Sequence, residues 1–325
     1  MAEQSFDIFA RIRACCADVA ERAIHVRIHL DRIGPYALTL PLADGGLPPL
    51  DTERHFIGDD EQTTAYFLTL AAVNFGSGYF PRFRKRPGMT GYFTVASSVA
   101  ERFRTSGPFP AETLAGISPQ ACAHLFGQHL ASPPMHELMT LFSRAWNNLG
   151  VHLIERFHGR FTELIEAAGR SSARLIDLLS TQPFFRDEAD YRGEKIPFYK
   201  RAQLLASDLA LALNGRNWGQ FDDLDRLTIF ADNLVPHVLR VDGLISYSEP
   251  LAATIERGEE IPSGSTEEVE LRACAVHTAE LVREALLQNG TAVTARQLDQ
   301  ILWHRGQQPE IKAAGKRHRT RTVYY

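Results

Sequence analysis

The sequence predicts a mainly α-helical fold with at most a few short strands. Three observations carry this. Apolar residues recur at helical spacing along most of the chain, residues suited to helix starts and stops bracket those runs, and strand-like alternation is confined to one short stretch. The chain has 325 residues, which allows one large domain or two average ones. It carries no internal repeat and no low-complexity linker. A single domain over residues 1–325 is therefore expected, with residues 1–110 as a candidate N-terminal subdomain and residues 111–325 as a helical core.

The elements follow in order. Phe6, Phe9, Ile12, Cys16 and Val19 recur at helical spacing. Residues 25–30 alternate, with Val26, Ile28 and Leu30 on one face, and predict a short strand. The Pro- and Gly-rich residues 45–49 and 107–110 predict loops. Asp59 and Asp60 cap a helix that carries Tyr66, Phe67, Leu70 and Val73 and stops at Gly76-Ser77-Gly78. Ser118 before Pro119 is a helix start, since proline suits the first helical position. Residues 135–168 read as helix, with a break near Gly150 and a stop at Gly169. Pro197 opens a helix bearing Phe198, Ala202, Leu205, Leu209 and Leu213, which Asn214-Gly215 ends. Ser248 with Pro250 starts another. Residues 265–268 and 294–297 are capping boxes, in which the hydroxyl accepts a third-residue N–H and Glu268 or Gln297 reaches back. The runs they open end near Asn289-Gly290 and Gly306.

Composition narrows the class. The chain is 44% hydrophobic and 23% charged, enough for a sizeable core without disulfide or metal staples. Its formal net charge of −4 argues against a general nucleic-acid binder. Cys15, Cys16, Cys122 and Cys274 form no disulfide framework and no C-x-x-C pair. The first residues carry acids and lack the apolar core of a signal peptide. No apolar run approaches the roughly 18 residues a membrane span needs, so a cytosolic protein is expected.

The Walker loop, G-x-G-x-x-G, H-E-x-x-H and G-x-S-x-G are all absent. His25 and His29 lie four apart with no further ligand nearby, so no metal is expected there. Chemistry is expected to run on protein groups, with no cofactor. One stretch dense in aromatics and charge runs from Phe184-Phe185-Arg186-Asp187 through Tyr191 and Gly193 to Ile196-Pro197-Phe198-Tyr199-Lys200-Arg201-Ala202-Gln203. A helix start offers free N–H groups and a dipole that favours an anion. Lys200 and Arg201 in its first turn oppose that dipole, which a bound phosphate would explain. A structural ion pair of Lys200 with Asp187 or Glu194 explains it equally well.

Residues 227–239 are the most informative. Asp232 sits in an apolar run and is followed by Pro236, which predicts a break between two helices. An aspartate there is either a helix cap accepting the Val235 N–H or a group facing a pocket, and one residue can do both. His55 lies in a loop. Asn74 and Phe75 set an amide and an aromatic ring beside a flexible backbone, which suits a flat heterocycle, although core aromatics and a turn account for them too. Asp299 precedes Trp303 by one helical turn, and the plain reading of that pair is a surface acid and a core tryptophan. The tail carries Lys312, Lys316, Arg317, His318, Arg319 and Arg321 and ends Val323-Tyr324-Tyr325. It is either a solvated basic tail or, given the apolar triplet, a docked one.

Together and in order, these segments resemble the queuosine salvage proteins, which are queuosine 5′-phosphate N-glycosidases. The resemblance rests on the His55 loop, Asn74-Phe75-Gly76-Ser77-Gly78-Tyr79, Phe185-Arg186-Asp187, Tyr199-Lys200-Arg201-Ala202-Gln203, Phe230-Ala231-Asp232 with Pro236, Leu298-Asp299 with Leu302-Trp303, and His318-Arg319-Thr320-Arg321 with Tyr324-Tyr325. It spans most of the chain, and the ordered set is specific where no single piece is.

The resemblance implies hydrolysis of the bond between ribose and a 7-deazaguanine base, releasing queuine for reuse in tRNA modification. It implies a helical fold similar to base-excision DNA glycosylases, with no metal. Residue by residue, it implies Asp232 as the catalytic acid of the Phe-Ala-Asp motif and Phe230 as a lining of the base. His55 and Asp299 become base-recognition candidates. Tyr199, Lys200, His318 and Arg321 become candidates for the nucleotide phosphate, and Asn74, Phe75 and Trp303 complete the candidate substrate-binding set. The expected partner is the small nucleotide, with no stable nucleic acid, no membrane and a monomeric state. A nucleic-acid base glycosylase on the same plan would need a duplex-binding surface, and the net charge of −4 without a basic stripe weighs against it. A non-catalytic nucleotide-binding protein would leave Asp232 as a cap alone.

Overall fold

Helix starts form where short polar side chains can take up the first free N–H groups. The structure is a computed structural model and describes residues 7–42, 47 and 49–325. Phe6 and, of the 45–49 loop, Gly45, Gly46 and Pro48 lie outside the described residues. Helix α1 (Ile8–Arg22) opens on Asp7 and buries Phe9, Ile12, Cys16 and Val19. Strand β1 (Val26–Ile28) is shorter than expected, because Leu30 already begins α2 (Leu30–Ala37) and is 67% exposed. Helix α3 (Asp60–Val73) is capped by Asp59 and buried on every side from Thr63 to Val73, the mark of a core helix. Then come α4 (Gly91–Ser106), α5 (Ala111–Ala115) and α6 (Pro119–Phe126), the last capped by Ser118.

Helix α7 (Pro133–Phe157) runs unbroken through Gly150, against the expected break. The chain instead breaks at His158 and Gly159, both in the left-handed region, before α8 (Phe161–Ala167) and α9 (Ser172–Ser180). Gly150 serves packing. An added methyl there would lie 2.5 Å from the Ala111 carbonyl oxygen and 2.9 Å from the Ala115 Cα, so only glycine lets α5 approach this closely.

A hairpin not foreseen from the sequence follows, β2 (Glu188–Tyr191) paired antiparallel with β3 (Glu194–Pro197). Arg192 and Gly193 both have positive φ, as the tight two-residue turn of a hairpin requires. Pro197 therefore ends a strand and does not open a helix. Helix α10 (Lys200–Ala212) starts three residues later, after Tyr199 at φ +47°.

Single 3-10 turns at Asn217–Gly219 and Leu224–Arg226 lead to α11 (Val235–Val241), β4 (Ile245–Tyr247), α12 (Glu249–Arg257), α13 (Thr266–Gln288), α14 (Ala295–Arg305) and α15 (Pro309–Ala313). Strand β4 pairs antiparallel with β1, Ile28 opposite Ile245. The Thr294–Gln297 capping box is complete. The Ser265 box is half formed: Ser265 accepts the Glu268 N–H at 3.3 Å, but the Glu268 carboxylate takes the Gly264 N–H at 3.1 Å. Glu268 is drawn inward to Arg272, 3.6 Å away on the same buried helix face. No helix among the described residues is long and apolar enough to cross a membrane.

The chain divides into two compact units of interleaved segments, neither of which follows a boundary at residue 110. One comprises Met1–Pro48, Glu188–Lys200 and Asp225–Thr320. The other comprises Pro49–Asp187, Arg201–Leu224 and Arg321–Tyr325. The first is built on α13, whose Val269, Leu271, Ala273, Cys274 and Ala275 are fully buried among α1, α2, α11 and α14. Fully buried Glu270 of α13 accepts the backbone N–H groups of Ile24 (3.1 Å), His25 (2.6 Å) and Val26 (3.2 Å) and the Tyr191 hydroxyl (3.0 Å). It thus satisfies the turn that feeds β1. His25 and His29 bond to their own neighbours, His29 Nε2 lying 2.9 Å from Ser246 Oγ and His25 Nδ1 3.5 Å from Ser248 Oγ. The second unit is built on α7, with Leu138, Phe142, Trp146 and Leu149 fully buried against α3, α5 and α6. The Trp146 indole N–H donates to the Thr69 carbonyl at 2.9 Å.

Candidate active site

Within the first unit, residues 227–231 form no regular structure yet are buried throughout, so their peptide groups must find partners away from a helix ladder. Three charged side chains supply them, the first being Arg13, which donates to the Leu227 carbonyl at 3.0 Å. The Phe230 N–H donates to the Asp299 carboxylate at 2.8 Å. The Ala231 carbonyl accepts from Arg272 Nε at 3.1 Å. This is why no helix precedes Asp232. The expected break between two helices is a buried irregular strap entering a single helix, α11.

Asp232 is half-buried. Its Oδ1 accepts the N–H of Leu234 at 2.7 Å and of Val235 at 3.3 Å, the capping role foreseen for it. Phe230 and Leu234 on either side are buried. Asn233 donates to the His318 carbonyl at 3.3 Å, which ties the His318 stretch of the tail to the same strap. The His318 ring is buried, and burial pushes its pKa down to about 3, so it is neutral at physiological pH. Burial also lowers the Arg317 guanidinium below its usual range, against the opposing pull of the Asp232 charge.

Asp299 and Trp303 reverse the plain reading of that pair. Asp299 is 7% exposed, whereas Trp303 is half-buried and meets His304 edge-on at 5.1 Å. Asp299 is an internal acid because it serves a backbone donor. Tyr199 hydrogen-bonds Glu188 through its hydroxyl, and Lys200 beside it is 8% exposed. A lysine that deep is retained only where anionic or carbonyl groups meet it.

In the second unit, His55 is buried and neutral, its pKa lowered by burial. Its Nδ1 lies 3.0 Å from the Asp51 carbonyl, which can only accept, so Nδ1 carries the proton. Nε2 then accepts the Tyr92 hydroxyl at 2.9 Å. The ring stacks on Phe67 at 6.1 Å. Both nitrogens are thus engaged by the unit's own residues.

Asn74 ends α3, and buried Phe75 packs on the Arg201 guanidinium at 5.0 Å. Arg201 is buried and donates to the Ala71 and Ala72 carbonyls, at 2.6 and 2.9 Å, and to that of Phe184. It therefore caps the C-terminus of α3, which accounts for a cation in the first turn of α10 without a phosphate. Arg321 donates to Glu137 at 3.1 Å and lies over the Tyr79 ring at 5.2 Å. The tail docks here: the Gly76 N–H donates to the backbone oxygen of buried Tyr325 at 3.0 Å.

Sequence reasoning missed Arg272. A signal for it exists, since Glu268 and Arg272 are an i,i+4 charge pair near the start of α13.

The model of a family described as queuosine salvage protein matches residues 54–325. A Sphaerobacter thermophilus protein named queuosine 5′-phosphate N-glycosylase/hydrolase is 40% identical over 312 residues, covering 94% of this chain and 95% of its own. Proteins of the same name from Mus musculus and Dictyostelium discoideum are also similar. The first is 31% identical over 82% of this chain and 83% of its own. The second is 37% identical over 67% and 66% respectively.

Proposed function

Because the chain belongs to the queuosine salvage protein family, we propose that it is a hydrolase that cleaves the N-glycosidic bond of queuosine 5′-phosphate and releases queuine. The observation that carries this reading is Asp232, a half-buried carboxylate fixed through Oδ1 by its own helix start, within the matched residues. Breaking an N-glycosidic bond builds positive charge on the ribose. A carboxylate beside the anomeric carbon stabilises that charge, and the apolar walls of Phe230 and Leu234 strengthen it by excluding water. Both hydrogen bonds described for Asp232 fall on Oδ1, so Oδ2 is the atom assigned to the sugar. A 7-deaza base has carbon in place of N7 and cannot be protonated there. More of the barrier therefore falls to Asp232.

In this proposal Phe230 lines the base, with Asp299 and Trp303 on the neighbouring helix α14. Tyr199 and Lys200 meet the 5′-phosphate, Lys200 supplying the charge. His318 supports the strap as a neutral group. His55, Asn74, Phe75 and Arg321 remain substrate-binding candidates of the second unit. The enzyme acts as a cytosolic monomer on a free nucleotide and not on a duplex, in keeping with its net charge of −4. The test is incubation with queuosine 5′-phosphate and detection of free queuine by mass spectrometry. Time-dependent release supports the reading, and tight binding of an intact nucleotide without release overturns it.

A further inference from the structure

We propose that Arg272 and Asp299 are positioning residues that aim Asp232, a proposal that rests on the catalytic reading of Asp232. They grip two peptide units of the strap, the one that joins Ile229 to Phe230 and the one that joins Ala231 to Asp232. Asp299 holds the Phe230 N–H at 2.8 Å, and Arg272 Nε holds the Ala231 carbonyl at 3.1 Å. The strap has no ladder of its own, so these two bonds, flanking Asp232 together with the Oδ1 cap, help set where the Asp232 backbone leaves the core. The two side chains come from different helices, α14 and α13, so the strap is held from two directions.

Arg272 reaches further. Its guanidinium lies 4.0 Å from the centroid of the Phe198 ring, and Phe198 is followed by Tyr199 and Lys200. The strap bearing Asp232 and the segment bearing Lys200 therefore rest on one cation. That cation is 1% exposed and is paired with Glu268, 3.6 Å away and 2% exposed. A buried ion pair of this kind costs desolvation that its attraction seldom repays, and apolar replacements are often as stable. Its use is better sought in geometry, and the geometry it sets is that of residues 230–232. A displacement of about 1 Å at a reacting group can cost on the order of a hundredfold in rate.

Four variants test this by steady-state kinetics on queuosine 5′-phosphate, per folded molecule as counted by circular dichroism and thermal melting. Asp232→Asn is the reference for the catalytic reading. Arg272→Met should lower kcat about a hundredfold with KM within about threefold, and Arg272→Lys should recover part of that loss. Asp299→Leu should behave like Arg272→Met, while Asp299→Asn, which keeps an acceptor for the Phe230 N–H, should recover most of the kcat that Asp299→Leu loses. If Asp299→Asn instead raises KM with kcat intact, Asp299 binds the substrate's cationic amine and its positioning role falls. If Arg272→Met folds less well but each folded molecule turns over normally, its role is structural and the proposal falls. Should Arg272→Met not fold, Arg272→Lys and the Asp299 pair decide alone. Full turnover by Asp232→Asn sinks the catalytic reading and this proposal with it. Loss there with unchanged kcat in Arg272→Met and Asp299→Leu sinks only the positioning.

Discussion

Gly150 of α7 lies against the backbone of Ala115 in α5, leaving no room for a methyl group. Two effects compete when Gly150 becomes alanine. Helix propensity favours alanine by about 1 kcal/mol. Overpacking against backbone that cannot swing aside costs about 1–3 kcal/mol or more. The clash should win, so Gly150→Ala is expected to lose about 1–2 kcal/mol in chemical denaturation. Unchanged or higher stability would mean that α5 shifts freely.

Glu270 takes three backbone N–H groups and the Tyr191 hydroxyl, whose pKa burial and this carboxylate push up to about 12. Glu270→Gln keeps the shape but turns an amide nitrogen toward donors. A loss of about 2–4 kcal/mol is expected. Tyr191→Phe should cost only about 1 kcal/mol. Similar unfolding midpoints for wild type and Glu270→Gln would show that the turn before β1 finds other acceptors.

Asp232→Asn keeps an oxygen for the Leu234 and Val235 N–H groups, so its fold should hold. Nucleotide binding should persist by calorimetry while queuine release falls at least about a hundredfold. Release near the wild-type rate contradicts the charge-stabilising role.

Lys200→Ala separates the phosphate from the rest of the substrate. A charge-assisted contact is worth about 1.5–3 kcal/mol, so kcat/KM for queuosine 5′-phosphate should drop roughly 10- to 100-fold, with far less effect on the dephosphorylated nucleoside. Equal losses for both remove Lys200 from the phosphate site.

His318 makes stability depend on pH. Its folded pKa of about 3 lies well below that of an unfolded histidine, near 6.5. Between those values the unfolded chain binds a proton that the folded chain refuses. Stability is therefore complete above about pH 6.5 and falls on acidification toward pH 3, by up to about 1.4 kcal/mol per pH unit for this one group. Burial lowers His55 and His237 as well, which adds to the slope below pH 6.5. Urea unfolding at pH 7.5 and 4.5 should show a smaller difference for His318→Gln than for the wild type. An identical slope in the variant would assign the acid sensitivity to other groups.

Much of the fold was legible because caps are local. Ser118, Thr294 and Asp59 announce their helices through atoms three residues away. The failures share the opposite cause. Gly150 looked like a break because its reason, α5, lies some 35 residues upstream, roughly ten helical turns away in sequence. The hairpin of residues 188–197 hid because each strand is four residues long. Asp232 was legible as a cap, but what holds its strap comes from residues 272 and 299, which no local pattern links to it. Lys200 and Arg201 looked alike, and only the carbonyls of Ala71, Ala72 and Phe184 distinguish Arg201 as a cap for α3.

The interleaving of the two units bears on synthesis at the ribosome. Residues 1–187 hold most of one unit but not Arg201–Leu224 or Arg321–Tyr325, and the other waits for Asp225–Thr320. A nascent chain two-thirds made has therefore finished neither, although domains usually fold one after another as they emerge. Helices such as α3 and α7 can form early, but their unit also includes Arg321–Tyr325, and the Tyr325 backbone oxygen accepts the Gly76 N–H. Stalled or truncated chains should then behave as clients of chaperones and proteases, not as half-working modules.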